Sequence, residues 1–165
     1  MITRLHIYTD MSQFVDLRLV AFGAVIVWPS NRDLAPLTTS GMMDFHGNSV
    51  LAELMAAKRA LEFAIEQGLL DERVRVTVYM DSDEATKWLS GERKIRDGRS
   101  VKAQCSIKTA AFVSTVQGLA QSTGAILTAQ WVKGHQKAKE SVHGDHNRVA
   151  DQMARRLVRA AMRAE

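Results

Sequence analysis

Four acidic residues, Asp10, Glu53, Asp81 and Asp151, stand where carboxylates could converge. Asp10 closes the hydrophobic run LHIYTDMS at 5–12, and Asp81 closes a second, VTVYMDSDE at 76–84. A single aspartate at a strand end is ordinarily a turn former, because its side chain bonds to nearby backbone. Two such endings raise the question of whether the acids meet. Glu53 shares a helix face with Val50, Ala57, Ala60 and Ala64, and the alanines allow close packing that turns it inward. Lys58, Arg59, Glu62 and Glu66 already supply the solvated face of that helix. An inward glutamate needs a partner, because burying an unpaired charge is prohibitive. No basic residue shares its face, but a metal ion would serve. Asp151 follows Asn147 by one turn at the head of an arginine-rich helix, where an acid also suits the helix dipole. Together the four make an oxygen-only ligand set suited to Mg²⁺ or Mn²⁺ rather than Zn²⁺. Such a set can hold two ions about 4 Å apart, one activating water and the other stabilising the leaving oxygen of a phosphodiester.

These residues must be positioned by the elements around them. The pattern predicts strands at 4–10, 20–28 and 37–45, close enough in sequence for an antiparallel meander. The apolar period then becomes helical over 48–68, with Asn48 or Ser49 as cap and Gly68 after the end. A strand at 74–81, a short helix at 82–91, a basic loop at 92–100, a helix at 101–121 and a strand at 125–132 follow. A polar loop at 134–146 leads into a last helix at about 147–163. Strands that follow helices join a sheet in parallel through right-handed crossovers. The expectation is an α/β fold, a mixed five-stranded sheet with strands 1–3 antiparallel and strands 4–5 parallel, flanked by helices on both faces. Sites in such sheets lie at the carboxyl ends of the strands, which is where this reading puts Asp10 and Asp81.

The 165 residues fit one domain, 1–165, with 46% hydrophobic and 24% charged residues. No apolar run approaches a membrane span and the N-terminus lacks a signal-peptide pattern, so a cytoplasmic protein is expected. Cys105 stands alone and reads as a small buried hydrophobe. Charge is uneven: residues 1–86 hold 7 Lys/Arg and 12 Asp/Glu, residues 87–165 hold 15 and 6. An acidic centre beside a basic surround suits a metal-dependent nuclease, since metal needs carboxylates and phosphate needs cations.

At this point the chain resembles the ribonuclease H family of the bacterial type. YTDMS is similar to its first-strand TDGS, AELMAAKRALE (52–62) to its first-helix pattern, and YMDS to its fourth-strand acid and serine. WVKGH (131–135) matches the end of its fifth strand, and NRVADQMA (147–154) its final NExADxLA. The five segments fall in the family's order and span nearly the whole chain. The resemblance implies Asp10, Glu53, Asp81 and Asp151 as ligands of two Mg²⁺ ions, with Mn²⁺ an alternative. It implies His135 as a mobile residue for proton transfer or product release, and Asn147 as a supporting or substrate-contacting residue. His143 and His146 are rivals on the same loop, ranked below His135 because they lie in what reads as an insertion of about six residues.

The implied activity is endonucleolytic hydrolysis of the RNA strand of an RNA–DNA hybrid by a monomer, with no membrane and no identified protein partner. Asn48 and Ser49 are candidate substrate contacts, although the family's asparagine pair is absent. Lys87, Arg93, Lys94, Arg96, Arg99 and Lys102 are candidates for the DNA-strand phosphates. The first hairpin departs from the family, with Met11 in place of a glycine and no Gly-rich turn. That departure motivates one alternative, a structure-specific DNA nuclease of the same superfamily; a catalytically silent hybrid-binding module is an alternative of a different class.

Overall fold

A computed structural model describes residues 1–93, 101–133 and 142–164, the side chains of 101–106 and 142 excepted. Five strands form one sheet: β1 Thr3–Phe14, β2 Leu19–Val27, β3 Leu37–Met43, β4 Val74–Met80 and β5 Ile126–Trp131. Four helices accompany them: α1 Ser49–Glu66, α2 Asp83–Ser90, α3 Val101–Thr123 and α4 Val142–Ala164. The strand order is β3-β2-β1-β4-β5. β1 with β2 and β2 with β3 are antiparallel, whereas β4 runs parallel to both β1 and β5. The mixed sheet expected from the alternation of periods is therefore present.

Each face of the sheet buries a different set of side chains. On one face Leu5, Ile7, Phe22, Ala24, Val76 and Val78 join Leu54, Ala57, Leu61 and Ala64 of α1, with Ala85 and Leu89 of α2 and Val116 of α3. The alanines of α1 are fully buried, so this helix lies close to the sheet as its sequence predicted. Asn48 caps it by accepting from the Leu51 amide at 3.1 Å. On the other face Tyr8, Val25, Tyr79, Val132 and Ala150 form a smaller core beneath α4.

Two boundaries differ from the expectation by more than one or two residues, and both bear on the site. β1 does not end at Asp10. Its parallel pairing with β4 reaches Tyr8 opposite Tyr79, but its antiparallel pairing with β2 continues through Asp10 opposite Gly23 to Phe14 opposite Leu19. Asp10 thus sits where β1 outruns β4: a ladder on one side holds its backbone while the other side opens. The last helix starts at Val142, five residues before the expected 147. Asn147 and Asp151 are consequently interior helix positions, and the first-turn reading of Asp151 falls away. His143 and His146 likewise belong to the helix rather than to a loop.

α4 lies directly against the sheet at Gly23, the cross-strand partner of Asp10. A Cβ at Gly23 would run into the carbonyl oxygen of Ala150, the residue before Asp151. The missing side chain sets the height of α4 above the sheet. Gly23→Ala is expected to destabilise the protein by about 1–3 kcal/mol, the cost of forcing atoms into a packed contact. Gly118→Ala in α3, where a Cβ meets nothing within 4 Å, should instead be neutral or stabilising by up to about 1 kcal/mol. Urea denaturation of both variants reads the contrast, and equal midpoints would mean that α4 is not held at Gly23.

Candidate active site

Asp10, Glu53 and Asp81 come together from three elements. Asp10 projects from β1, Glu53 from the second turn of α1, and Asp81 is the first residue after β4. One carboxylate oxygen of each lies within 4.8 Å of the others. Glu53 is 6% exposed and Asp10 4%. The inward orientation read from the alanine face of α1 is therefore correct. A cleft of about 330 Å³ opens over the group, walled also by Lys133, Asn147, Asp151 and Arg155.

The electrostatics of this cluster are those of like charges held out of water. Burial pushes the Asp10 carboxyl up to about 8, with Asp81 and Asp151 adding to the rise and the Met11 amide and Arg155 opposing it. That amide donates to Asp10 Oδ1 at 2.8 Å. Burial also raises Glu53 well above the carboxylate range, aided by Asp10 and Asp81, and Glu53 shares a hydrogen bond with Asp81. The Oε2 of Glu53 is buried with no hydrogen-bond partner among the described residues. A hard divalent cation fits this set, since it takes oxygen ligands, satisfies an orphaned carboxylate oxygen and neutralises mutual repulsion.

Asp151 lines the same cleft but falls outside the tight group. Its Oδ1 accepts from Arg155 Nε at 2.8 Å. Arg155 and Lys133 were not singled out in the sequence. The i,i+4 spacing from Asp151 was the available signal for Arg155, and Lys133 lies inside WVKGH. Asn147 is buried in the cleft wall, with Oδ1 unpartnered among the described residues. Asn48 spends its side-chain oxygen on the α1 cap, and Ser49 is exposed at the first position of that helix. Lys87, half-buried, and Arg93, exposed, are already paired, with Asp83 at 2.8 Å and Glu84 at 2.9 Å. His135, Lys94, Arg96 and Arg99 lie outside the described residues, as does the side chain of Lys102.

The two rival histidines have a definite place. Tyr8 stacks on Tyr79 with ring centroids 4.7 Å apart, and His143 stacks on Tyr79 at 4.6 Å. The Tyr8 hydroxyl and His143 Nδ1 are hydrogen bonded, while His146 lies 5.0 Å from the Tyr8 ring. Burial keeps Tyr8 protonated far above neutrality, so its hydroxyl remains a donor. These rings pin the head of α4 to the strands that carry Asp10 and Asp81. At the neighbouring strand end Trp131 Nε1 donates to the Asp81 carbonyl at 3.1 Å, and the Val132 amide donates to Met80 at 2.8 Å. Trp131 is 47% exposed.

Comparison with solved structures returns the same fold throughout. RNase H1 of the halophilic archaeon Halobacterium salinarum aligns with a TM-score of 0.64 and 20% identity over 91% of this chain and 93% of its own. The N-terminal RNase H domain of a Mycobacterium tuberculosis protein, fused to maltose-binding protein, gives 0.64 and 20% over 98% of both chains. LC11-RNase H1 in complex with an RNA/DNA hybrid gives 0.67 and 20% over 96% of this chain and 99% of its own. A search of curated protein sequences finds no match. Among family profiles, RNase H matches residues 3–159. With the profile spanning all five strands and the three clustered acids, this chain belongs to the RNase H family.

Proposed function

We propose that the protein is a divalent-metal-dependent endonuclease that hydrolyses the RNA strand of RNA–DNA hybrids, acting as a monomer. The observation that carries this reading is the meeting of Asp10, Glu53 and Asp81 within 4.8 Å beneath an open cleft. Retention of buried, mutually repelling carboxylates costs stability, and a module that only bound phosphates would gain nothing from them. Asp10, Glu53, Asp81 and Asp151 are the proposed ligands, with Mg²⁺ the preferred ion and Mn²⁺ a substitute. The bound ions supply activation of water and stabilisation of the leaving oxygen.

The chain's own residues do the rest. Arg155 holds Asp151 at the cleft and places a cation beside the acids. Lys133 and Arg148 offer further cations at the cleft wall. Asn147 presents a buried amide to whatever enters, and Asn48 and Ser49 stand ready at the head of α1. Lys87 and Arg93 would exchange their carboxylate partners for DNA phosphates at little cost, since exposed ion pairs contribute at most about 1 kcal/mol. His135 is the proposed proton-transfer residue. Lys94, Arg96, Arg99 and Lys102 complete the proposed phosphate contacts.

Matched RNA–DNA, DNA–DNA and RNA–RNA duplexes with Mg²⁺ test the reading directly. The RNA strand of the hybrid should be cut and the others left intact. Cleavage of the DNA duplex alone would favour a structure-specific DNA nuclease, and binding without any cleavage would make the protein a hybrid-binding module. Asp10→Asn should lower single-turnover cleavage by about 10²–10³-fold or more, and undiminished activity would remove Asp10 from the chemistry.

A second prediction concerns stability without metal. The folded Asp10 carboxyl titrates near 8, above its ordinary value of 3.8. Its protonated form therefore favours the folded state, and that stability is lost as pH rises from about 4 through 8. In EDTA the Tm should fall across this range, and added Mg²⁺ should raise Tm most at the alkaline end. Asp10→Asn in EDTA at alkaline pH should melt above the parent protein. A Tm at or below the parent's would mean that Asp10 is not under electrostatic strain.

A further inference from the structure

Beside the cleft a second groove of about 420 Å³ runs between the far end of β1 and α4. Ser12, Gln13 and Phe14 form one wall, and Arg155, Arg159 and Met162 form the other. It shares Met11, Asp151 and Arg155 with the catalytic cleft, so the two are continuous. The groove exists because β1 stays paired with β2 through Phe14 instead of turning after Asp10. Its chemistry differs from that of the cleft. Asp151 is the one acid among its lining residues and is already matched by Arg155. Arg159 is exposed and makes no ion pair among the described residues. Arg155 and Arg159 stand one turn apart, about 6 Å along the helix axis, on the side of α4 that faces the hairpin. Ser12 and Gln13 add hydrogen-bonding groups, while Phe14 and Met162 add apolar surface for sugars. Cations spaced along one wall, polar groups opposite and an apolar lining suit a polynucleotide strand.

We propose that this groove holds the RNA strand on one flank of the cleavage position, with Arg159 contacting a backbone phosphate. The inference rests on the hydrolytic reading of the cleft. It assigns to α4 and the extended hairpin a share of substrate recognition. The RNA strand is the occupant because the groove continues from the carboxylates that would cut that strand.

The test compares the parent protein with Arg159→Ala. Alanine at this exposed helix position keeps helix propensity, so the variant retains its fold. Binding is measured in EDTA to three hybrids that share one full-length DNA strand: one with full-length RNA, and two with RNA shortened on one side or the other of the cleaved position. For the parent, shortening one particular flank should weaken binding by about two- to fivefold, the size of one exposed phosphate contact. In Arg159→Ala the full-length hybrid should already be weakened by that factor, and shortening the same flank should cost nothing more. The log–log salt slope should fall by about 0.9. If Arg159→Ala binds all three hybrids as the parent does, or if the two losses simply add, the groove does not hold the strand. Mg²⁺-dependent cleavage of the full-length hybrid by the parent is scored alongside. Its presence with unaltered binding by Arg159→Ala overturns the groove alone, whereas its absence overturns both the hydrolytic reading and the groove that rests on it.

Discussion

Everything at this site follows from three carboxylates held together, two of them buried and the third half-buried. Like charges at that separation repel, and burial removes the solvent that would screen them. The fold sustains the arrangement because each acid is fixed by an element that is stable for other reasons. Asp10 is locked by the β1–β2 ladder, Glu53 by the alanine face of α1, and Asp81 by the end of β4. The apolar packing on both faces of the sheet offsets the local penalty, and part of it is deferred by protonation of Asp10 and Glu53. The same penalty makes the cluster receptive to a cation.

Much of this was legible in the residues. The alanine spacing disclosed a buried acid, since Glu53 shares a helix face with Ala57, Ala60 and Ala64, and a buried charge needs a partner. The parallel placement of β4 beside β1 followed from the intervening helix. The end of β1 was misread because aspartate is a strong turn signal, and tertiary pairing with β2 overrode that local preference. The start of α4 was misread for the opposite reason. His143, Gly144, Asp145 and His146 have a loop composition, yet stacking of His143 on Tyr79 draws them into the helix. No local pattern announces a contact between residues so far apart in the chain. The pairing of Arg155 with Asp151 was open to reading from their i,i+4 spacing, whereas the close seat of α4 on Gly23 was not, since no local pattern marks which strand glycine meets a helix.

The hairpin joining β1 to β2 sets the reversal of the chain apart from the acids. A short 3₁₀ turn at Val15–Leu17 and Arg18 in the left-handed region, at φ 52°, reverse the chain. Arg18 also lies over the Phe45 ring at 4.9 Å. A non-glycine residue in this conformation carries strain that the surrounding contacts must hold. The reversal therefore sits well beyond Asp10 rather than immediately after it. The acids keep their places while the surface next to them acquires side chains where a glycine turn would present bare backbone.

Trp131 closes the fifth strand with its indole donating to the Asp81 carbonyl and nearly half its surface in solvent. Of the three tryptophans, Trp88 is buried in the main core and Trp28 lies at the other end of the sheet. The emission of Trp131 is therefore the one tied to the backbone of Asp81. An exposed indole bonded to that backbone makes the protein's own fluorescence an optical gauge of movement where β4 ends.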